Sequence, residues 1–218
     1  MNYAQLVTAV SDYCENSFPV TDMDTFIRQA EQRIYNTAQP ANLRKNVTGS
    51  LSTGNKYLGC PADFLSVYSL AIYPASGSGD YLYLLNKDVN FMREAYPNPA
   101  TLGKPKHYAI FGPQSNDINE LTFLVGPTPD AAYMAELHYY YYPQSIVTAG
   151  TTWLGDNFDS VLLYGTICEA LVYLKGEGDL INVANERYTQ AIALYKNLAD
   201  GKQRADAYRD GQTRVAVS

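Results

Sequence analysis

Two histidines, three cysteines and a few isolated carboxylates carry whatever reactive chemistry this chain of 218 residues has. His107 and His138 both fall inside strand patterns, where an imidazole is a pleat position before it is a base. Cys60 and His107 are the one Cys/His combination to ask about for nucleophilic catalysis, and nothing in their spacing brings them together. Cys14 and Cys168 sit in apolar helical patterns, where a reduced, buried thiol is the expected state, and no pair of cysteines has metal-ligand spacing. Asp156 and Asp159 have the look of paired carboxylates for acid–base work. They open a helix, however, where orphan amides and the helix dipole stabilise negative charge without any catalysis. Glu169 is the one charge inside an apolar helix; it is expected to pair with an arginine of a neighbouring helix, Arg28 or Arg187, or to lie at the bundle edge, with proton transfer a remote third reading. Gly77-Ser78-Gly79 lacks the helix that would aim amides at a phosphate. Asn46-Val47-Thr48 matches a glycosylation acceptor, which carries no weight without a secretory signal. No catalytic, cofactor-binding or metal-binding set survives, and no cofactor is expected.

The elements that hold these residues alternate in period along the chain. Leu6, Val7, Val10 and Cys14 recur at helical spacing, predicting an amphipathic helix over 3–15. Phe18-Pro19-Val20 breaks it. Thr21, three residues before Asp24, reads as a variant capping box, and Phe26, Ile27, Ala30 and Ile34 form the stripe of a second helix ending near Asn36. From Asn46 the pattern turns to strands and turns. Val67–Tyr73 and Tyr81–Leu85 read as a hairpin about a small polar loop, and Asp88–Tyr96 as a short helix. His107–Phe111, Leu121–Val125 and Ala132–Tyr142 follow as strands, with Gly112-Pro113 and Gly126-Pro127 in the turns. After Pro143 and a turn-rich link, Asp156 opens a helix apolar on more than one face up to Leu174, which belongs in an interior. Gly176 and Gly178 serve as its C-cap and a tight turn. Leu180, Ala184, Tyr188, Ala191, Ile192, Tyr195 and Leu198 then mark a long amphipathic helix to about Ala199.

The expected fold is α+β. A four-helix bundle is formed by the N- and C-terminal helix pairs, with an antiparallel β-domain inserted between them and an extended C-terminal tail. The boundaries read as 1–45 for the N-terminal hairpin, 46–150 for the insertion, 151–201 for the C-terminal pair and 202–218 for the tail. In that tail Lys202, Arg204, Arg209 and Arg214 face only Asp206 and Asp210, four positive charges against two negative, a local +2 on a protein of net charge −6. Its last eight or so residues are expected to be disordered in the free subunit.

An acidic balance with pI near 4.9 argues against a nucleic-acid-binding surface, which needs clustered Lys and Arg. Met1–Leu6 has no basic region followed by an apolar run, and no apolar stretch reaches the roughly 20 residues that span a bilayer. The reading is a soluble protein of a reducing cytoplasm. Twenty tyrosines against one tryptophan and seven phenylalanines exceed what strand filling requires. Tyrosine is enriched at protein interfaces, so the excess predicts a large subunit contact. Tyr73, Tyr81, Tyr83, Tyr139 and Tyr141 are the candidates.

The arrangement resembles the head-to-tail adaptor, or head completion, proteins of tailed bacteriophages, especially those with short tails. The residues that carry the resemblance are spread along the chain: Tyr3–Val7, Asp24–Ile34, Tyr57–Phe64 and Lys104–Ala109. They continue through Pro127-Thr128-Pro129-Asp130, Leu137–Tyr140, Trp153-Leu154, Leu162–Gly165 and Glu186–Ala191, ending in the charged tail. None is a strict motif; their joint order is the signal. The resemblance implies a structural virion protein, made in the host cytoplasm and built into the neck. It implies a ring, usually of twelve copies, docked beneath the portal protein, meeting the tail nozzle protein and lining the DNA exit path. It also implies that the tail reaches up along the portal, with Lys202, Arg204, Tyr208, Arg209, Arg214 and Val215 as docking residues. An acidic wall suits passing DNA that is not gripped, and a basic tail suits folding on a protein partner. No membrane is implied. The alternative readings are another neck or tail-tube subunit, or a carbohydrate-binding or enzymatic tail protein that stacks ligands on Tyr139 or Tyr141.

Overall fold

In the computed structural model, residues 1–38, 43–77, 79–112 and 121–203 are described, with side chains through Asn197. The chain divides into two compact units: Met1–Leu43 with the described part of Tyr142–Ser218, and Arg44–Tyr141.

The first unit is helical and centres on the most apolar run of the chain. Helices α1 (Tyr3–Tyr13) and α2 (Val20–Thr37) come from the N-terminal segment. Helices α4 (Ile146–Ala149), α5 (Trp153–Asn157), α6 (Asp159–Tyr173) and α7 (Gly178–Gln203) come from the C-terminal one. Val161, Leu162, Leu163, Ile167, Cys168, Ala170 and Leu171 of α6 are all buried, on every side of the helix. Helix α6 meets that demand by packing against α1, α2 and α7. The approach to α2 is close. A Cβ on Gly165 would stand 3.3 Å from Cβ of Ala30 and 3.4 Å from the Tyr188 ring. Absence of a side chain at that position is what allows the contact.

Helix starts differ from the sequence expectation. Helix α1 has a capping box that the reading passed over: Asn2 Oδ1 accepts from the Gln5 amide and Gln5 Oε1 accepts from the Asn2 amide, both at 2.9 Å. Helix α2 begins at Val20 behind Pro19 with no side-chain cap, so the expected Thr21–Asp24 box is absent. Asp24 instead accepts a hydrogen bond from the Tyr3 hydroxyl at 2.7 Å, which ties α2 to α1. The single helix expected from Asp156 is broken at Phe158. Thr152 caps α5, Asp156 lies within α5's first turn, and α6 starts at Asp159 with no side-chain cap. The Phe158 ring turns inward between Trp153 and Tyr195, 5.4 and 5.1 Å away between centroids, and that packing holds the break. At the other end of α6 a lysine takes the place expected for glycine. Lys175 has φ of 53°, its amide donates to Val172 O, and the Gly176 amide donates to Leu171 O. That pair of bonds is the Schellman closure. Helix α7 runs beyond Ala199 to Gln203.

The second unit carries β1 (Arg44–Leu51), β2 (Tyr57–Gly59), β3 (Ser66–Pro74), β4 (Leu82–Tyr83), β5 (Leu85–Asn86), α3 (Val89–Ala95), β6 (Leu102–Gly103), β7 (His107–Phe111), β8 (Thr122–Gly126), β9 (Thr128–Pro129) and β10 (Tyr133–Tyr140). One sheet has the order β1-β10-β3-β4 and is antiparallel throughout. A second has the order β2-β8-β7-β5, and β6 pairs with β9 alone. The expected hairpin partner of β3 is only half right. Leu82 and Tyr83 pair with Ile72 and Ala71, but Leu85 and Asn86 leave for the second sheet and run parallel to β7. The pair β6–β9 is parallel too, so the insertion is not wholly antiparallel. Period-two alternation places Ala135, Leu137 and Tyr139 of β10 inward. They join Leu51, Leu70, Ile72, Leu84, Tyr108, Phe123 and Val125 in one core. At Gly126 the demand is stricter than at Gly165: a Cβ there would lie 2.7 Å from Cε of Met92 and collide with the Tyr96 ring.

Candidate interaction surfaces

The residues with reactive side chains are absorbed by structure. His107 Nδ1 is 2.6 Å from the Tyr96 hydroxyl, and its ring packs at 5.3 Å from Phe91. Burial, with Lys87 and Lys106 nearby, lowers its pKa. Glu169 does pair with an arginine of a neighbouring helix, but it is Arg33 of α2, at 3.0 Å. The expected Arg28 lies five residues before Arg33 on the same helix, and the expected Arg187 is on α7. The same guanidinium donates to Gly165 O at 3.0 Å and lies 4.5 Å from the centre of the Tyr188 ring. Cys168 is a buried and Cys14 a half-buried free thiol, and Cys60 is half-buried. Burial raises the pKa of both Cys14 and Cys168. Among the described residues no cluster of three or more His, Cys, Asp or Glu could hold a metal ion, and no helix is long and apolar enough to cross a membrane.

Glu31 is a buried carboxylate that the sequence reading did not single out. It is 3% exposed, on the inward face of α2. Its Oε1 accepts from the Ile146 amide at 2.9 Å, supplementing Ser145 as the cap of α4. Desolvation raises its pKa, against the lowering effect of the Ile146 and Ser145 hydrogen bonds and of Arg28. No spacing rule reaches this pair, because 115 residues separate its partners.

The β unit exposes clustered aromatic and charged side chains. On the outward face of the first sheet, Arg44 of β1 lies across from Tyr140 of β10. The Arg44 guanidinium sits 4.4 Å from the centre of the Tyr68 ring and 5.4 Å from that of Tyr140. Two strands further, Tyr73 and Tyr81 stack at 4.7 Å. Between them Glu136 Oε1 accepts from His138 Nε2 at 2.7 Å and from Asn46 Nδ2 at 3.2 Å. The His138 bond, helped by the Tyr81 hydroxyl and Asn46, holds the Glu136 carboxyl below its usual range against a smaller opposing effect of burial. The Tyr81 phenol is raised in return. Tyr83 is 65% exposed and points out beside this cluster.

The candidates therefore separate. Tyr73, Tyr81 and Tyr83 lie together at one side of the outward face. Tyr139 does not: it is 1% exposed, faces the core, and donates to Asp63 Oδ1 at 2.8 Å, so it cannot offer a ring to a partner or a sugar. Tyr141 is half-buried beside Lys45, whose Nζ lies 5.1 Å from the ring centre. Lys45 also donates to Asp63 Oδ2 at 2.8 Å. Burial of Asp63 works against its ionisation, but the bonds from Lys45 and Tyr139 outweigh it and hold the carboxyl low. Arg44, Tyr68 and Tyr140 went unselected in the sequence. Each is locally an ordinary strand residue, and only the β1–β10–β3 register gathers them.

In the helical unit an open apolar groove of about 300 Å³ is lined by Tyr13, Tyr164, Ile167, Leu171, Leu180 and Val183. Of the proposed docking residues, Lys202 lies in the last turn of α7, and Arg204, Tyr208, Arg209, Arg214 and Val215 lie outside the described residues.

The helical unit is built around a largely apolar central helix, and the first sheet of the β unit exposes tyrosines and a Glu136–His138 pair. The class comes from the family comparison: the family described as SU10 adaptor protein matches residues 1–216. The chain belongs to that family, a family of phage head-to-tail adaptors. No curated protein matches it.

Proposed function

We propose that this subunit forms a closed ring in the neck of the virion, joining the portal to the tail nozzle and surrounding the path by which DNA leaves. Membership of an adaptor family over residues 1–216 carries the reading. In it the four long helices act as one bundle, and Tyr73, Tyr81 and Tyr83 contribute to contacts with neighbouring copies or the nozzle. Flat, tyrosine-rich faces with partly desolvated Arg are the composition that protein interfaces favour. Residues 202–218, basic and poor in large apolar side chains, dock on the portal; a segment of that kind folds on a partner. A net charge of −6 suits a channel wall that DNA slides past.

The reading is tested by mass measurement of the full-length protein with and without portal protein, beside a variant lacking residues 205–218. The intact protein is expected to join the portal as a ring. The truncated protein is expected to lose that association while keeping its melting temperature. Unchanged portal binding by the truncated protein would refute the docking role.

A further inference from the structure

The sheet β1-β10-β3-β4 ends in two open edges. Among the described residues, neither the outer side of β1 nor that of Leu82–Tyr83 in β4 makes a backbone hydrogen bond. Unpaired edges are templates for another strand, and proteins normally blunt them. Here the two edges match each other. Three successive antiparallel pairings make β4 antiparallel to β1 within one copy. If the sheet of one copy continues into the next with its strands aligned, β4 of one meets β1 of the other in the antiparallel sense.

Side-chain parity then fixes the register, because a one-residue slip exchanges the two faces. Leu82 lies opposite Ile72, which is buried, so it belongs to the inward face. Tyr83, opposite Ala71, belongs to the outward one. On β1, Val47 lies opposite buried Leu137 and so also belongs inward, yet among the described residues it is 37% exposed at the sheet edge. Setting Leu82 against Val47 covers that valine with an apolar neighbour. It puts Tyr81 across from Thr48 and Tyr83 across from Asn46, all on the outward face. Arg44 is then the diagonal neighbour of exposed Tyr83, extending its stack on Tyr68 and Tyr140 by a third ring. The edges also differ in sign: β1 carries Arg44 and Lys45 and no acid, while Asp80 precedes β4. That difference favours unlike edges meeting over β1 meeting β1.

We propose that this edge is where copies of the chain join: β4 of one subunit pairs with β1 of the next, in the register Leu82 with Val47, so that one sheet runs on between subunits. Such a contact is head-to-tail and repeats around a ring. The inference rests on the ring reading above and adds its contact.

Directly opposed residues of an antiparallel pair have Cα atoms about 4.5–5.5 Å apart, within disulfide reach. The test is oxidation of the full-length Val47→Cys/Leu82→Cys double variant, alone and with portal protein, with wild type setting the background of its three native thiols. A ladder of covalent dimers and higher multimers is expected from the double variant. The slipped pair Thr48→Cys/Leu82→Cys is expected to give none. Dimers from Val47→Cys alone would mean that β1 meets β1 and would overturn the proposal. Val47→Lys, at an exposed position, is expected to abolish self-association without changing the melting temperature. If native mass spectrometry shows the oligomer persisting with neither the ladder nor the effect of Val47→Lys, this contact is wrong and the ring reading stands. A monomer under both conditions would remove both.

Discussion

Glu31 shows how one side chain can be both a joint and a liability. Its carboxylate takes the Ile146 amide that begins α4, and burial resists its charge. A carboxyl with a raised folded pKa binds protons more readily in the native state than in the unfolded chain. Its contribution to stability therefore falls as pH rises through the window from the usual carboxylate value to the raised one, and the penalty is complete above it. Glu31→Gln keeps an acceptor for Ile146 and carries no charge. It is expected to gain on wild type as pH rises from about 4 to 7 in thermal melts. Glu31→Ala leaves the amide orphaned and should cost about 1–3 kcal/mol at low pH, where the wild-type carboxyl is uncharged, and less as pH rises. Equal behaviour of the two variants would show that the hydrogen bond is not what the residue supplies.

At the scale of elements, the decisive choices lie where helices start and stop. Helix α6 ends in a Schellman closure whose left-handed residue is Lys175, not glycine. A lysine held at positive φ carries strain of about 1 kcal/mol. Lys175→Gly is expected to raise stability by about 0.5–1 kcal/mol, read as a shift of the chemical-denaturation midpoint with an unchanged slope. Hydrophobic period exposed the existence of α1, α2, α6 and α7 because each has a stripe or a run long enough to count. It did not reveal the break at Phe158, since nothing local distinguishes a ring that turns inward on Trp153 and Tyr195 from one that continues a helix. Nor did it reveal β2, β6 or β9, whose two or three residues are too short to show a period.

For the molecule as a whole, charge is the quantity that bears on function. Sixteen basic against 22 acidic residues leave no surplus for phosphate neutralisation. Binding to duplex DNA rests on releasing counterions with clustered Lys and Arg, which are missing here. Fluorescence anisotropy with a labelled duplex at physiological salt is expected to give no saturable binding by the purified subunit. A dissociation constant in the micromolar range or tighter, weakening steeply with added salt, would mean that the protein grips DNA. The tail's small positive excess is directed in this reading at protein, and its removal should not alter the DNA result.

The order of the long helices and longer strands, the α+β class and the adaptor family were legible in the chain, because they depend on period, composition and the joint order of short patterns. The contact surfaces were legible only in part. Tyr73, Tyr81 and Tyr83 are alike in sequence to Tyr139, and all sit in strand patterns. Whether a strand tyrosine faces core or solvent depends on which neighbour its strand pairs with, and β10 pairs with β1 and β3, strands some 90 and 65 residues earlier. The same register brings Arg44 to Tyr68 and Tyr140, and leaves Val47 partly exposed at an edge. Glu169 shows the same limit: its need for a cation follows from an apolar helix, while the choice of Arg33 follows from how closely Gly165 lets α2 approach. Local chemistry sets what each residue requires, and long-range packing decides which residue meets the requirement.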